Sequence, residues 1–115
     1  MRVMVVGATG YVGGRLVPLL INEGYKVSCL VRNPEKLVHR NWDDVGIIEG
    51  DVLDIQSLLP ALQGIDIVVY LVHSLNSEKA DFGVLDRRGA VNIAQASEDS
   101  QIKRLIYLGG LGEKT

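Results

Sequence analysis

At 115 residues, the chain is long enough for one domain whose hydrophobic core needs neither disulfides nor a metal. Hydrophobic residues make up 47% and charged residues 23% of the sequence, which is ordinary for a folded protein and argues against disorder. Lys and Arg total 12 against 14 Asp and Glu, and the net charge of -2 lacks the basic excess that nucleic-acid binding needs.

The sequence carries no sign of membrane insertion or secretion. Its longest apolar runs, such as residues 65–72, are far shorter than the roughly 20 residues that span a bilayer. The N-terminus reaches Gly7 and Thr9 too early to contain the apolar core of a signal peptide. The single cysteine, Cys29, cannot form an internal disulfide and fits a reducing compartment. We therefore expect a cytoplasmic protein that makes no membrane contact.

Strand-like and helix-like segments alternate along the chain. Continuous β-branched runs are typical of parallel strands covered on both faces, and they predict strands at 2–6, 26–31, 45–49, 65–71 and 104–108. The segments between them predict helices at 11–23, 34–37, 55–62 and 78–97. Gly24 and Gly64 stand where left-handed helix C-caps belong, and Asp54 stands at an N-cap position. The pattern predicts an α/β fold with a doubly wound parallel sheet.

A glycine-rich turn, "VVGATGYVGG" at residues 5–14, joins the first strand to the first helix. Gly7 permits a tight turn, Gly10 lets the backbone approach a pyrophosphate, and Gly13 lets the helix pack closely on the sheet. The amides and the dipole at the helix N-terminus then attract the anion, and Thr9 adds a hydroxyl. This arrangement predicts a dinucleotide site in a Rossmann fold of strand order 3-2-1-4-5. A glycine turn that binds no ligand is the alternative.

Residues at the ends of the next two strands bear on the choice of dinucleotide. Arg32 follows the second strand, where a site for NAD carries an acid, and its guanidinium suits the 2′-phosphate of NADP instead. Lys36 or Arg15 are candidates to assist it. After the third strand, Asp51 offers a carboxylate to the adenine amino group and Val52 an apolar wall. The sequence thus favours NADP over NAD, although a solvated arginine and an aspartate that caps a turn are the plain alternatives.

Five segments together are similar to a known family: "GATGYVGGRLV", "LVRNPEKL", "GDVLD", "DIVVYLVHS" and "IKRLIYLGGLG". In order and spacing they resemble the N-terminal half of an extended or atypical short-chain dehydrogenase/reductase, nearest to its NmrA-like or sugar-nucleotide-epimerase-like group. The resemblance covers essentially the whole chain and implies one NAD(P)-binding domain over residues 1–115. It also matches Asn92 to an asparagine of a family helix. The cofactor-binding residues that it implies are Gly7, Thr9, Gly10, Tyr11, Val12, Gly13, Arg32, Asp51, Val52, Leu71, Val72 and His73.

The catalytic residues of that family have no match in this sequence. The family uses a tyrosine four residues before a lysine, whereas the positions four after the tyrosines here are Arg15, Cys29, Ser74 and Leu111. Glycines at 109 and 110 replace the serine or threonine that follows the fifth strand. The sequence also stops before the family's substrate-binding region, so we expect that region to be lacking and leave the catalytic residues unassigned.

Two functions stay open from the sequence. One is an NAD(P)-dependent enzyme of the oxidoreductase or epimerase type, or a fragment of one; the other is a non-catalytic module that senses a dinucleotide and signals to a partner. Two histidines and one cysteine, all widely separated, predict no metal site. Strand 104–108 ends the predicted sheet as an apolar edge, and such an edge favours a homo-oligomer.

Overall fold

Five parallel strands form one sheet with helices on both faces. The computed structural model describes residues 1–7, 11–32, 45–71 and 80–108. Its strands are β1 (Arg2–Val6), β2 (Lys26–Val31), β3 (Val45–Glu49), β4 (Ile67–Leu71) and β5 (Arg104–Leu108). Its helices are α1 (Tyr11–Asn22), α2 (Ile55–Ala61) and α3 (Ala80–Asp99). None of the helices in these ranges is long and apolar enough to cross a membrane.

The strand order is β3-β2-β1-β4-β5, which confirms the predicted 3-2-1-4-5 arrangement. Val6 of β1 is in register with Leu30 on one side and Tyr70 on the other. Because every pair is parallel, the carboxyl ends of all the strands meet at one edge of the sheet, which we call the carboxyl edge. The opposite side is the amino edge. β5 lies at the end of the sheet as predicted, and its pairing with a second chain stays a prediction.

The two faces of the sheet are covered by different helices. Residues of β1 alternate between the faces: Val3 and Val5 pack with Val17 of α1, whereas Met4 packs with Leu58 of α2 and Ile93 of α3. Met4, Val5, Val17, Leu58 and Ile93 are all fully buried. Burying each aliphatic side chain of this size stabilises the fold by about 1.5–3 kcal/mol. Burial on both faces explains why the strands read as continuous apolar runs.

The helix ends follow the predicted caps. The Asp54 carboxylate accepts a hydrogen bond from the Gln56 amide at 3.2 Å, which confirms the N-cap of α2. Gly24 and Gly64 have φ angles of +95° and +77°, in the left-handed region where a C-cap glycine belongs. The helices otherwise end within two residues of the predicted bounds. The helix predicted at 34–37 and the first residues of the one predicted from 78 lie outside the described residues.

The start of β4 was predicted two residues too early. Ile65 is buried, but its amide donates to the Leu62 carbonyl at 3.1 Å and closes the turn after α2. Asp66 then holds the amino edge together, because its carboxylate accepts from the Arg2 amide at 2.9 Å and lies 3.6 Å from the Lys103 ammonium. The Arg2 amide chiefly, and the Lys103 charge, lower the pKa of Asp66 below its ordinary value, although desolvation opposes them.

Candidate functional site

The predicted glycine turn begins as the sequence indicated. Gly7 follows β1 directly and has a φ of +94°, a conformation that a residue with a side chain rarely adopts. α1 starts at Tyr11, and Gly13 is buried in its first turn. A buried strand that ends at Val6 and a helix that begins at Tyr11 therefore flank this segment, as they flank an anion cradle. Thr9 and Gly10 lie outside the described residues, and Tyr11 and Val12 are described by their backbone alone.

Arg32 lies directly after β2, the strand next to β1 in the sheet. The residue before it, Val31, pairs with Glu49 of β3 and is buried, whereas Arg32 extends one position past the strand and is exposed. Within the described ranges, its guanidinium has no carboxylate partner. An exposed, unpaired guanidinium at the carboxyl edge retains all its donors for a ligand phosphate. Lys36 lies outside the described residues, and Arg15 is an exposed residue of α1.

Asp51 is held in a compact turn after β3. Its Oδ1 accepts from the Leu53 amide at 2.9 Å, so the turn-capping role that the sequence offered as an alternative is present. The Ser57 hydroxyl braces the same turn: its oxygen accepts from the Asp51 amide at 3.0 Å and donates to the Asp54 carbonyl at 2.7 Å. The carboxylate is therefore fixed at the carboxyl edge, and its Oδ2 has no hydrogen-bond partner in the described part of the chain.

Helix α3 ties this turn down from the other side. The Asn92 side-chain amide donates to the Val52 carbonyl at 2.7 Å, a contact between residues 40 positions apart. One helical turn earlier, the backbone of Gly89 lies so close to the turn that a Cβ there would stand 2.8 Å from Val52 Cγ2 and 2.7 Å from the Tyr70 hydroxyl oxygen. We call the unit formed by Asp51, Val52 and Leu53 the adenine turn, after its predicted ligand.

Sequence reasoning found Asn92 only as a family match and assigned it no role. The signal that would have found this role is a polar residue beside the buried stripe of the helix, since its neighbour Ile93 and Ala96 of α3 are fully buried. Such a residue needs a hydrogen-bond partner. The partner itself was not visible in the sequence, because it is a backbone carbonyl.

The last predicted residues lie at the end of β4. Leu71 is buried, while Val72 and His73 fall outside the described residues. β1 and β4 are neighbours in the sheet, but the helices that follow them pack on opposite faces: α1, after β1, on one and α3, after β4, on the other. This is the switch point of a doubly wound sheet, where ligands bind beyond the carboxyl ends of the strands. Gly7, Arg32, Asp51 and Leu71 are thus brought to one edge from four strand ends.

Residues 7–115 match the family of NAD(P)H-binding proteins. The chain belongs to this family. The site fits the cofactor, since a left-handed Gly7, an exposed Arg32 and a fixed Asp51 carboxylate line the edge where a dinucleotide binds in such folds. The resemblance to short-chain dehydrogenase/reductases and epimerases is confirmed as well, and dinucleotide binding follows from the family.

Individual relatives carry different activities in their names. The chain is 32% identical to the photosystem II assembly factor Ycf39 of Cyanophora paradoxa over 114 residues. The aligned region covers 99% of this chain and 36% of that protein. A nucleoside-diphosphate-sugar epimerase of Staphylococcus aureus superposes with a TM-score of 0.77 at 27% identity, over 93% of this chain and 37% of the epimerase. An NADPH-dependent quinone oxidoreductase of Escherichia coli, crystallised with NADPH, shares the fold with a TM-score of 0.74 at 22% identity, over 91% of this chain and 35% of the other. The chain therefore spans about a third of the length of each.

Proposed function

We propose that this domain binds NADP(H) in preference to NAD(H) and serves a protein that transfers a hydride to or from the bound nicotinamide. The observation that carries the preference is Arg32, which is exposed one residue beyond β2 and has no carboxylate partner among the described residues. Arginine in this position pairs with a 2′-phosphate, whereas the acid that hydrogen-bonds an unphosphorylated ribose is missing from it. The turn at Gly7 and the first turn of α1 would hold the pyrophosphate, and the adenine turn would hold the base.

The binding energy expected from Arg32 follows from its chemistry. A planar guanidinium donates two parallel hydrogen bonds to a phosphate, and we take about 1.5–3 kcal/mol for this charge-assisted pair as a whole. Because Arg32 is exposed, water and salt weaken the pair, so we take the lower end of the range. That value corresponds to roughly a tenfold preference for NADPH over NADH.

The test is a calorimetric titration of the protein with NADPH and NADH. Arg32→Ala is expected to weaken NADPH binding about tenfold and to leave NADH binding unchanged. Arg104→Ala is the matched control, because Arg104 is also an exposed cation and lies at the opposite edge of the sheet. If Arg32→Ala weakens NADPH and NADH binding alike, or neither, the assignment of the 2′-phosphate to Arg32 is wrong.

In a hydride transfer, these residues would bind and orient the cofactor. The bound nicotinamide supplies or accepts the hydride, as NAD(P) cofactors do. No tyrosine in the 115 residues precedes a lysine by four positions, so that pair does not move the proton within this sequence. The support for an oxidoreductase or epimerase comes from the family match and from the names of the solved structures that share the fold.

A second candidate is a dinucleotide-binding module without catalysis. It is favoured by Gly109 and Gly110, which occupy the positions of the family's serine or threonine, and by the similarity to an assembly factor. The two candidates differ in turnover. Loss of NADPH absorbance in the presence of quinone, aldehyde and enone substrates, measured on the product of the complete reading frame, supports the enzyme. Tight NADPH binding with neither loss of absorbance across that panel nor interconversion of sugar-nucleotide epimers supports the module.

A further inference from the structure

Two exposed arginines, Arg87 and Arg88, lie on α3 beside the adenine turn. The helix meets this turn at Gly89, where a Cβ would stand 2.8 Å from Val52 Cγ2. α3 runs from the carboxyl edge, where β4 ends, to the amino edge, where β5 begins. The two arginines come just before Gly89, so they lie on the carboxyl-edge side of this contact, as the candidate cofactor site does.

The two arginines leave the helix in different directions. Successive helical residues are rotated by about 100°, whereas residues four positions apart lie on the same side, one turn above each other. Arg88 lies one turn before Asn92, which is half-buried and donates to the Val52 carbonyl at 2.7 Å. Arg87 lies one turn before Val91, which is 66% exposed. The helix therefore directs Arg88 along the side that contacts the adenine turn and Arg87 toward solvent.

The long side chain of Arg88 extends toward the ligand side of the adenine turn. Side chains on a helix lean toward its N-terminus, which for α3 is the end at the carboxyl edge. On the same helix, the residues three and four positions away are not acidic: they are Val84, Leu85, Val91 and Asn92. Among the described residues, no carboxylate lies within ion-pair distance of the Arg88 guanidinium, so none of them holds it away from a ligand.

We propose that Arg88 covers the base of the cofactor by stacking its guanidinium on the adenine ring. The inference rests on the proposed function, because it needs a dinucleotide whose base lies at the adenine turn. There the fixed Asp51 carboxylate would hold the edge of the base, which leaves the faces of the ring to other groups. A planar guanidinium suits such a face, because it stacks on aromatic rings and is attracted by their π-electrons. Arg88 would thus recognise the base that NADP and NAD share, and Arg32 the 2′-phosphate that distinguishes them.

The test is a calorimetric titration of Arg88 variants with NADPH, NADH and reduced nicotinamide mononucleotide. Arg88→Ala is expected to weaken the binding of NADPH and NADH alike, by about three- to fivefold, and to leave the mononucleotide unaffected because it has no adenine. Arg88→Lys keeps the charge without the planar group and should recover only part of the lost affinity. Arg87→Ala removes the same charge from the neighbouring residue and should leave all three affinities unchanged, so it is the matched control.

Three results would overturn the stacking role of Arg88. Weaker binding of NADPH alone would make Arg88 a second contact to the 2′-phosphate. Equal weakening by Arg88→Ala and Arg87→Ala would show a general attraction of the anionic ligand to this end of the helix. A ligand-free Arg88→Ala protein that unfolds at a lower urea concentration than the parent would show that the guanidinium supports the fold of the adenine turn and not the base.

The failure of this inference can be told apart from the failure of the proposed function. If the parent protein binds neither dinucleotide, the proposed function is wrong and the role of Arg88 falls with it. If the parent binds NADPH and Arg32→Ala weakens that binding selectively, while Arg88→Ala binds both dinucleotides as the parent does, only the role of Arg88 is wrong.

Discussion

The tie between Asn92 and Val52 offers the sharpest test of how the site is built. Asn92→Ala removes a hydrogen bond of 2.7 Å and leaves the half-buried Val52 carbonyl to find water. The lost bond costs about 0.5–1.5 kcal/mol, and incomplete hydration of the carbonyl adds to that cost. Alanine recovers about 0.5 kcal/mol through its higher helix propensity. We therefore expect the free energy of unfolding to fall by about 1 kcal/mol.

The same substitution is expected to weaken cofactor binding in a selective way. Val52 belongs to the adenine turn, so releasing its carbonyl loosens the part of the site that we propose contacts the base. A loss of about 1 kcal/mol corresponds to roughly fivefold weaker binding of NADPH. Reduced nicotinamide mononucleotide lacks the adenine half, and its affinity should not change. Urea unfolding measures the first effect, and calorimetric titration with the two ligands measures the second.

Gln95→Ala is the matched control for this prediction. It makes the same amide-to-alanine change on the same helix and breaks an exposed bond of 3.2 Å to the Asp99 carboxylate. An exposed substitution of this kind changes stability by less than about 0.5 kcal/mol. If Asn92→Ala and Gln95→Ala have equal effects on unfolding and on NADPH binding, the hydrogen bond to Val52 does not hold the adenine turn.

Two further substitutions test other contacts that the structure shows. Gly89→Ala would place a methyl group 2.7 Å from the Tyr70 hydroxyl oxygen and 2.8 Å from Val52 Cγ2. We expect this overpacking to cost about 1–3 kcal/mol and to outweigh the gain of about 1 kcal/mol in helix propensity. A raised melting temperature would contradict this. The Arg2 amide is the main cause of the lowered pKa of Asp66, so the ionised carboxylate stabilises the folded state. This contribution is fully present above the ordinary pKa of 3.8 and is lost as the pH falls through the lower pKa of the folded state. Asp66→Asn should therefore unfold more easily at neutral pH and lose less stability on acidification, and acid-unfolding curves parallel to those of the parent protein would refute the reasoning.

The strands and the carboxyl edge could be predicted because their signals are local. Each strand is a largely apolar run, and β1, β2, β3 and β5 are followed directly by a glycine or a charged residue. The parallel register then brings Gly7, Arg32 and Asp51 together without any further information, because parallel strands end at the same edge. The site residues on β1, β2 and β3 could thus be found from their positions at strand ends.

The contacts that tighten the site could not be predicted, because they depend on side-chain direction and on backbone partners. On α3, Val91 is 66% exposed while its neighbour Asn92 is half-buried, and this difference of one position decides which residue reaches Val52. Ile65 illustrates the same limit in the backbone. It is as apolar and as buried as a strand residue, and only the hydrogen bond of its amide to Leu62 places it in a turn.

The two halves of the proposed cofactor site differ in how far they are prepared for a ligand. The adenine turn is held by three independent bonds: the Asp51 carboxylate to the Leu53 amide, the Ser57 hydroxyl, and Asn92 of α3. Binding a base there orders little that is not already ordered, so little conformational entropy is lost. Arg32 is exposed and has no carboxylate partner in the described ranges, so binding a phosphate costs the conformational entropy of ordering a long side chain. Substitutions at Arg32 should therefore alter the choice between NADP and NAD without affecting the stability of the fold. Substitutions in the adenine turn should weaken cofactor binding and fold stability together.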